Sequence, residues 1–123
     1  MANPNIVAVT TIYGTTTYYT PTGTTAVVLL ANAASSGKVY KINQIVAANT
    51  TGTAANTTVA VNSAAAGSGT SYSVAGAISV PANASLIVTD KTTAIYLEED
   101  KSIVVTSGTS SAITYTVSYE ELS

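Results

Sequence analysis

The sequence contains no histidine, cysteine, arginine, tryptophan or phenylalanine. Without histidine, a serine or threonine nucleophile has no imidazole base, and without histidine and cysteine the favoured zinc ligands are missing. Without cysteine, no disulfide can stabilise the fold. Without arginine, no guanidinium group is present to bind a phosphate through two hydrogen bonds. We therefore expect a protein that is not an enzyme, with no catalytic residues, no metal site and no cofactor; a small hydrolase is the weakest hypothesis.

Charge is scarce as well: 8% of the 123 residues are charged, and the formal net charge is −2. Nucleic-acid-binding surfaces depend on clusters of basic side chains, so we expect no nucleic-acid partner. Residues 1–89 contain no acid, and their charged side chains are Lys38 and Lys41. Contact with another protein is favourable for a surface that carries so little charge.

Long apolar runs are absent too. The longest strongly apolar run is AVVLLA at 26–31, whereas a membrane-spanning helix needs about 20 such residues. The opening MANPNIVAV has neither a basic segment nor a long apolar run, so it does not resemble a secretory signal. We expect a soluble chain made in a cytoplasm, with no membrane partner.

Threonine, valine, alanine and serine are abundant instead, and several runs alternate between apolar and polar residues. In AITYTVSYE, for example, Ile113, Tyr115, Val117 and Tyr119 share one face, as in a half-buried strand. Similar strand-like runs lie at 5–12, 25–31, 38–49, 57–62, 85–89 and 102–106. Within 38–49, Ile45 falls out of phase with Tyr40 and Ile42, which predicts a β-bulge or a strand buried on both faces.

Turn-forming segments separate these runs at intervals of roughly ten residues, a spacing typical of antiparallel sandwiches and barrels. These segments lie at 20–23, 32–37, 49–56, 62–71 and 80–85. We predict an all-β fold, a single antiparallel β-sandwich over residues 1–123 with eight to ten short strands, of which a jelly roll is one form. Residues 1–9 are predicted to act as an extending arm or an edge strand, because Pro4 ends strand pairing upstream.

Three of the six acids are adjacent: Glu98, Glu99 and Asp100. Neighbouring side chains of a strand point to opposite faces, while Glu98 and Asp100 would lie about 7 Å apart on one face, near the spacing of retaining glycosidases. A cation site would need more oxygen ligands at fixed spacing. The interpretation we favour is a solvated turn between two strands, and a cation site or a catalytic pair are the alternatives.

The eight tyrosines are the only aromatic residues. Tyr40 and Tyr115 are predicted to fill the core, whereas the adjacent Tyr18 and Tyr19 must point to opposite faces, so at least one ring is exposed or covered by a partner. Tyrosine is enriched at protein interfaces. The candidate interface residues are Asn5, Ile6, Val7, Tyr18 and Tyr19.

Five segments carry a resemblance to a known group of proteins: residues 1–14, 38–49, 79–91, 95–99 and 117–122, which read MANPNIVAVTTIYG, KVYKINQIVAAN, SVPANASLIVTDK, IYLEE and VSYEEL. In these segments the chain resembles small β-rich virion structural proteins of tailed bacteriophages, especially those of cyanobacteria. The resemblance implies a location in the virion and the major capsid protein or other virion proteins as partners. It implies no active-site residues.

Together these features predict a capsid cement or decoration protein that stabilises the head through protein–protein contacts and forms a homo-oligomer, for which a trimer is one option. The alternatives are a neck, tail or fibre component, or a receptor- or glycan-binding module. An ice-binding protein would need a regular array of Thr-x-Thr, and the instances at 15–17 and 114–116 have no fixed period.

Overall fold

Nine β-strands and one short 3₁₀ turn make up the computed structural model, which describes residues 4–123. The strands are β1 (Ile12–Tyr19), β2 (Val27–Asn32), β3 (Val39–Asn49), β4 (Ala55–Asn62), β5 (Ser71–Val80), β6 (Ser85–Thr89), β7 (Ile95–Leu97), β8 (Lys101–Ser107) and β9 (Ile113–Leu122), with the 3₁₀ turn at Lys91–Thr93. Among residues 4–123, no helix has the length and apolar character that crossing a bilayer requires. The predicted all-β class and strand number are confirmed.

The strands form two antiparallel sheets that pack face to face. The first sheet has the order β1-β9-β3-β6, with β7 also paired to β3, and the second has the order β2-β8-β4-β5. The chain therefore pairs like one long hairpin folded over itself: β1 with β9, β2 with β8, β3 with β6 and β7, and β4 with β5. This is the jelly-roll form of the antiparallel β-sandwich, so the predicted architecture is confirmed.

Most strand-like runs of the sequence lie in strands. The run at 85–89 coincides with β6, and the irregularity expected at Ile45 is a register shift between Ile42 and Gln44 in the β3–β9 pairing. The run at 5–12 was wrong as a strand, because only Ile12 belongs to one. Residues 5–8 instead form a turn in which the Ala8 N–H donates to the Asn5 carbonyl at 2.9 Å.

The core lies between the sheets, and β9 contributes the alternating face that its sequence predicted. Tyr115 is fully buried there, and the rings of Tyr40 and Tyr119 pack with their centroids 5.1 Å apart. The Tyr115 hydroxyl donates to the Thr106 carbonyl at 2.9 Å and is hydrogen-bonded to the Thr57 hydroxyl. Since Thr57 and Thr106 belong to the second sheet, one tyrosine joins the two sheets through polar contacts inside the core.

Burial raises the pKa of the Tyr115 hydroxyl, and the hydrogen bond from Thr57 opposes that rise. The unfolded chain then loses its tyrosine proton at a lower pH than the folded chain does. The contribution to stability is therefore complete below the ordinary tyrosine pKa of about 10 and is lost as the pH rises further.

Buried asparagines end three successive strands: Asn32 in β2, Asn49 in β3 and Asn62 in β4. Each side-chain amide donates to the loop that follows its strand; Asn49, for example, donates to the Thr53 carbonyl of its loop at 2.7 Å and also to the Val80 carbonyl at the end of β5 at 3.0 Å. A buried amide that satisfies loop backbone groups stabilises a loop otherwise made of small residues. These loops hold the strand ends in place although few large apolar side chains are available.

We expect Tyr115→Phe to lower the free energy of unfolding by about 1–3 kcal/mol, because the Thr57 hydroxyl and the Thr106 carbonyl would lose a buried partner. Urea unfolding followed by circular dichroism measures the change. Tyr18→Phe is the matched control, since it removes a hydroxyl from an exposed ring and should shift stability by less than about 0.5 kcal/mol. Equal effects of the two substitutions would contradict the structural role of Tyr115.

Candidate interaction surface

The acidic cluster of the sequence forms a turn between β7 and β8. Glu98 and Asp100 are exposed, Glu99 is buried, and Asp100 has a positive φ of 58°. The Asp100 N–H donates to the Asn32 carbonyl at 2.8 Å, which fixes the turn against the end of β2. The turn is confirmed, but it is not solvated throughout, because Glu99 is buried. Among residues 4–123 no group of three or more histidine, cysteine or acidic side chains is arranged to hold a metal ion.

The outermost strand of the first sheet offers a different kind of surface. β1 pairs with β9 on one side and with no other strand of the described chain. All of its residues except Thr17 are exposed. We call the side of Ile12–Tyr19 that faces away from β9 the β1 edge.

The direction in which the backbone groups of β1 point can be deduced from the neighbouring pair Thr11 and Ser123. These two residues exchange both backbone hydrogen bonds, each at 3.0 Å. In an antiparallel ladder such pairs alternate with pairs whose N–H and C=O groups point outward. The groups of Ile12, Gly14, Thr16 and Tyr18 therefore point away from β9 and are available to a further strand.

The β1 edge lacks the usual features that prevent strands from pairing edge to edge, which are charged side chains, bulges and short length. Its sequence, IYGTTTYY, carries no charge, and its eight pairs with β9 run without a register shift. The other outer strands differ: register shifts interrupt the pairings of β2, β5 and β6, and β7 has only three residues. Of the described outer strands, β1 is thus the best template for pairing.

Large side chains flank the β1 edge on both faces of the sheet. Tyr13 lies opposite Glu121 and Tyr19 opposite Tyr115, on the face of β9 that carries its core side chains, whereas Ile12 and Tyr18 lie on the outer face. Their exposed fractions are 60% for Ile12 and Tyr13, 73% for Tyr18 and 45% for Tyr19. The edge thus combines open backbone groups with uncovered apolar surface.

The structure separates the five interface residues that the sequence suggested. Tyr18 and Tyr19 lie at one end of β1, whereas Asn5, Ile6 and Val7 lie in the turn that precedes its other end. The strand rise of about 3.3 Å per residue places roughly 20 Å between Ile12 and Tyr18. Tyr18 and Tyr19 therefore belong to the β1 edge, and Asn5–Val7 form a separate exposed segment.

The exposed segment at 5–7 lies over the outer face of the first sheet. Pro4 and Ile6 line a shallow depression together with Val39, Tyr96 and Glu98. Residues 4–9 belong to neither sheet, and residues 1–3 of the predicted arm lie outside the described residues. Pairing of this arm with another chain stays a prediction.

Sequence reasoning missed Ile12 and Gly14 as parts of the surface and did not place Tyr13. The signal was the continuous uncharged run from Ile12 to Tyr19, which alternates poorly because neither face of the strand is covered. Alternation reports a strand with one buried face, so a strand exposed on both faces gives a weak pattern.

A second, polar depression lies on the outer face of the first sheet beside the β3 bulge. It has a volume of about 470 Å³ and is lined by Asn43, Gln44, Asp90, Lys91, Thr92 and Ser118. The Asp90 carboxylate already accepts hydrogen bonds from the Thr92 N–H and hydroxyl at 2.9 and 2.6 Å, which lower its pKa. The other lining side chains are the amides of Asn43 and Gln44, the hydroxyls of Thr92 and Ser118 and the amine of Lys91, and no aromatic ring is among them.

Comparison with known proteins gives no family: no protein-family model matches the chain, and no curated protein matches it. The function is therefore argued from the surfaces themselves.

Deletion of residues 1–9 is expected to weaken assembly while leaving the sandwich folded. The hydrogen bonds that join Thr10 and Thr11 to the Ser123 carbonyl, at 2.8 and 3.0 Å, remain in the shortened chain. Sedimentation and capsid-binding measurements report assembly, and circular dichroism reports the fold. The double variant Ile6→Ser and Val7→Ser is the matched control, because it removes two apolar side chains of the arm but keeps the backbone of the arm. An unchanged oligomer with full capsid attachment would remove the arm from the account.

Proposed function

We propose that the protein is a structural component of a tailed-bacteriophage particle, in its simplest form a cement or decoration protein that stabilises the head. Its partners are the major capsid protein or other virion proteins and further copies of itself, and it resides in the virion. The observation that carries this proposal is the β1 edge, an uncharged and unbulged outer strand with four large exposed side chains.

The chemistry of the β1 edge favours protein contact over catalysis. Open N–H and C=O groups bind another strand, and tyrosine and isoleucine side chains give contact area that is stabilising once water is excluded. Neither feature polarises a substrate or moves a proton. The resemblance to virion structural proteins, in five segments spread over most of the length, supports the same conclusion.

The jelly-roll architecture is compatible with the proposal but does not carry it. Capsid proteins and lectins share this architecture, and a fold hosts many functions. The scarcity of charge adds support, because only 8% of the residues are charged. A surface with few hydrated ions loses little favourable hydration when another protein covers it.

A receptor- or glycan-binding module is the second candidate, and the polar depression at Asn43 and Asp90 is the observation that favours it. It ranks below the first because the depression lacks the aromatic platform on which sugars stack. An ice-binding face is less favoured still: Thr15 and Thr17 lie on one face of the first sheet and Thr114 and Thr116 on the other, so they form no single array.

The proposed function is tested by locating the chain in purified particles. Particles from the producing culture are banded by density, and the chain is measured by mass spectrometry and by labelled antibody in electron micrographs. We expect the chain to band with particles, to label heads, and to raise the temperature at which heads lacking it release their DNA. Its absence from particles would contradict the proposal, and label confined to tails or fibres would move it to that alternative.

A further inference from the structure

We infer that the occupant of the β1 edge is the β1 edge of a second copy, paired antiparallel about a two-fold axis that passes beside Thr16. The inference rests on the proposed function for the premise that this chain works by protein contact, and it adds the partner and the register. The pairing would join the two first sheets into one continuous sheet across the dimer.

Geometry restricts how two β1 edges can pair. Opposite residues of an antiparallel ladder share a face of the sheet. A residue of one copy must therefore lie opposite a residue of the other copy whose number differs from its own by an even number. Two registers centre on β1: one places Thr15 opposite Thr15, and the other places Thr16 opposite Thr16. In both, the outward-pointing backbone groups meet one another.

The register centred on Thr16 fits the side chains better. It places Tyr18 of each copy opposite Gly14 of the other, and a side-chain atom built on Gly14 would meet nothing within 4 Å. A ring that covers a glycine on the neighbouring strand is a recurrent stabilising pair in sheets. The open space above Gly14 thus receives the most exposed large ring of the strand.

The same register pairs the remaining rings. Tyr13 of one copy lies opposite Tyr19 of the other, twice per dimer, and Thr15 lies opposite Thr17. Cross-strand aromatic and threonine pairs stabilise sheets. The register centred on Thr15 instead places Tyr13 opposite Thr17, Tyr19 opposite Thr11 and Tyr18 opposite Ile12, so it pairs no two rings and leaves Gly14 opposite Thr16.

The exposed tyrosine rings supply close to half of the area of a standard contact. The exposed fractions of Tyr13, Tyr18 and Tyr19 are 60%, 73% and 45%. At about 200 Å² for each ring, the tyrosines alone offer up to roughly 350 Å² per copy, against about 800 Å² per partner in a standard interface. Ile12, the threonines and the backbone add to this area.

Electrostatics permit this pairing. β1 carries no charge, and the nearest acids, Glu120 and Glu121, lie on β9, one strand further from the axis. Three strand spacings, about 14 Å, separate the two copies of β9, which exceeds the Debye length of about 8 Å at physiological salt. An acidic protein with a net charge of −2 can therefore pair with itself at this edge.

Single cysteines test the register, because the natural chain has none. With Thr16 on the axis, the two Cα atoms of Thr16→Cys lie about 5.5 Å apart, within the disulfide range of about 4.4–6.8 Å. The matched controls Thr15→Cys and Thr17→Cys place their Cα atoms about 7–8 Å apart on the diagonal, outside that range.

We expect Thr16→Cys to form a covalent dimer at least about tenfold faster than either control under mild oxidation, as expected when the paired strands raise the effective concentration of the thiols. Equal rates at the three positions would indicate random collision and overturn the pairing. Faster linkage of Thr15→Cys would overturn the register in favour of the alternative.

A lysine substitution tests dimerisation through the β1 edge without an oxidation step. Thr16→Lys places two like charges opposite each other on the axis, so the variant should sediment as a monomer at concentrations where the natural chain dimerises. Ser73→Lys is the matched control on β5, an exposed outer strand of the second sheet, and it should leave the dimer intact. A natural chain that stays monomeric throughout, or dimers lost only in Ser73→Lys, would overturn the inference.

The failure of this inference is distinguishable from the failure of the proposed function. A monomeric chain that still bands with particles would assign the β1 edge to a capsid strand or to the arm at 5–9 of a neighbouring copy, which overturns the inference and leaves the function standing. A dimer linked through Thr16 that is absent from particles supports the inference and contradicts the function.

Discussion

The structure depends on one constraint, that backbone N–H and C=O groups need hydrogen-bonding partners. The two sheets satisfy these groups on at least one side of every strand, and among the outer strands β1 keeps an uninterrupted row directed at solvent. Natural sheets close such rows with charges, bulges or short strands. β1 has none of these, and its tyrosines and isoleucine are exposed beside the open row. Water satisfies the row in a single chain, and a second strand would satisfy it while also covering the apolar side chains.

The interior solves the same problem with neutral groups. Tyr115 joins the two sheets through the Thr57 hydroxyl and the Thr106 carbonyl, and the buried amides of Asn32, Asn49 and Asn62 bind the loops that follow their strands. Hydroxyl and amide hydrogen bonds take the place that ion pairs hold in more charged proteins. The surface also carries few strongly hydrated groups, because only 8% of the residues are charged.

The sequence predicted the parts of the fold in which one face of a strand is buried. Alternation in β9 gave its core face correctly, β6 coincides with its run, and the phase change at Ile45 marked a real bulge. The stretch at 5–9 failed because the Asn5–Ala8 turn satisfies its backbone locally, and hydrogen bonding to the end of the chain begins only at Thr10 and Thr11. β5 gave little signal, since most of its residues are exposed and its pairing is bulged.

The interaction surface was predicted only in part for a related reason. The doublet Tyr18 and Tyr19 could be identified because adjacent rings cannot share a face. The rest of the surface is defined by which side of β1 lacks a neighbour, and that depends on strand order. Strand order follows from long-range pairing between residues 12–19 and 115–122, which no local pattern encodes.

Hydrogen exchange at individual amides of β1 tests the central claim most directly. The N–H groups of Tyr13, Thr15 and Thr17 bond to β9 and should be protected in the dilute single chain, whereas those of Gly14, Thr16 and Tyr18 should exchange rapidly. In the assembled protein, dimer or particle, the account predicts that Gly14, Thr16 and Tyr18 become protected as well. Exchange at these three amides that is equally fast in the free and assembled states would contradict it.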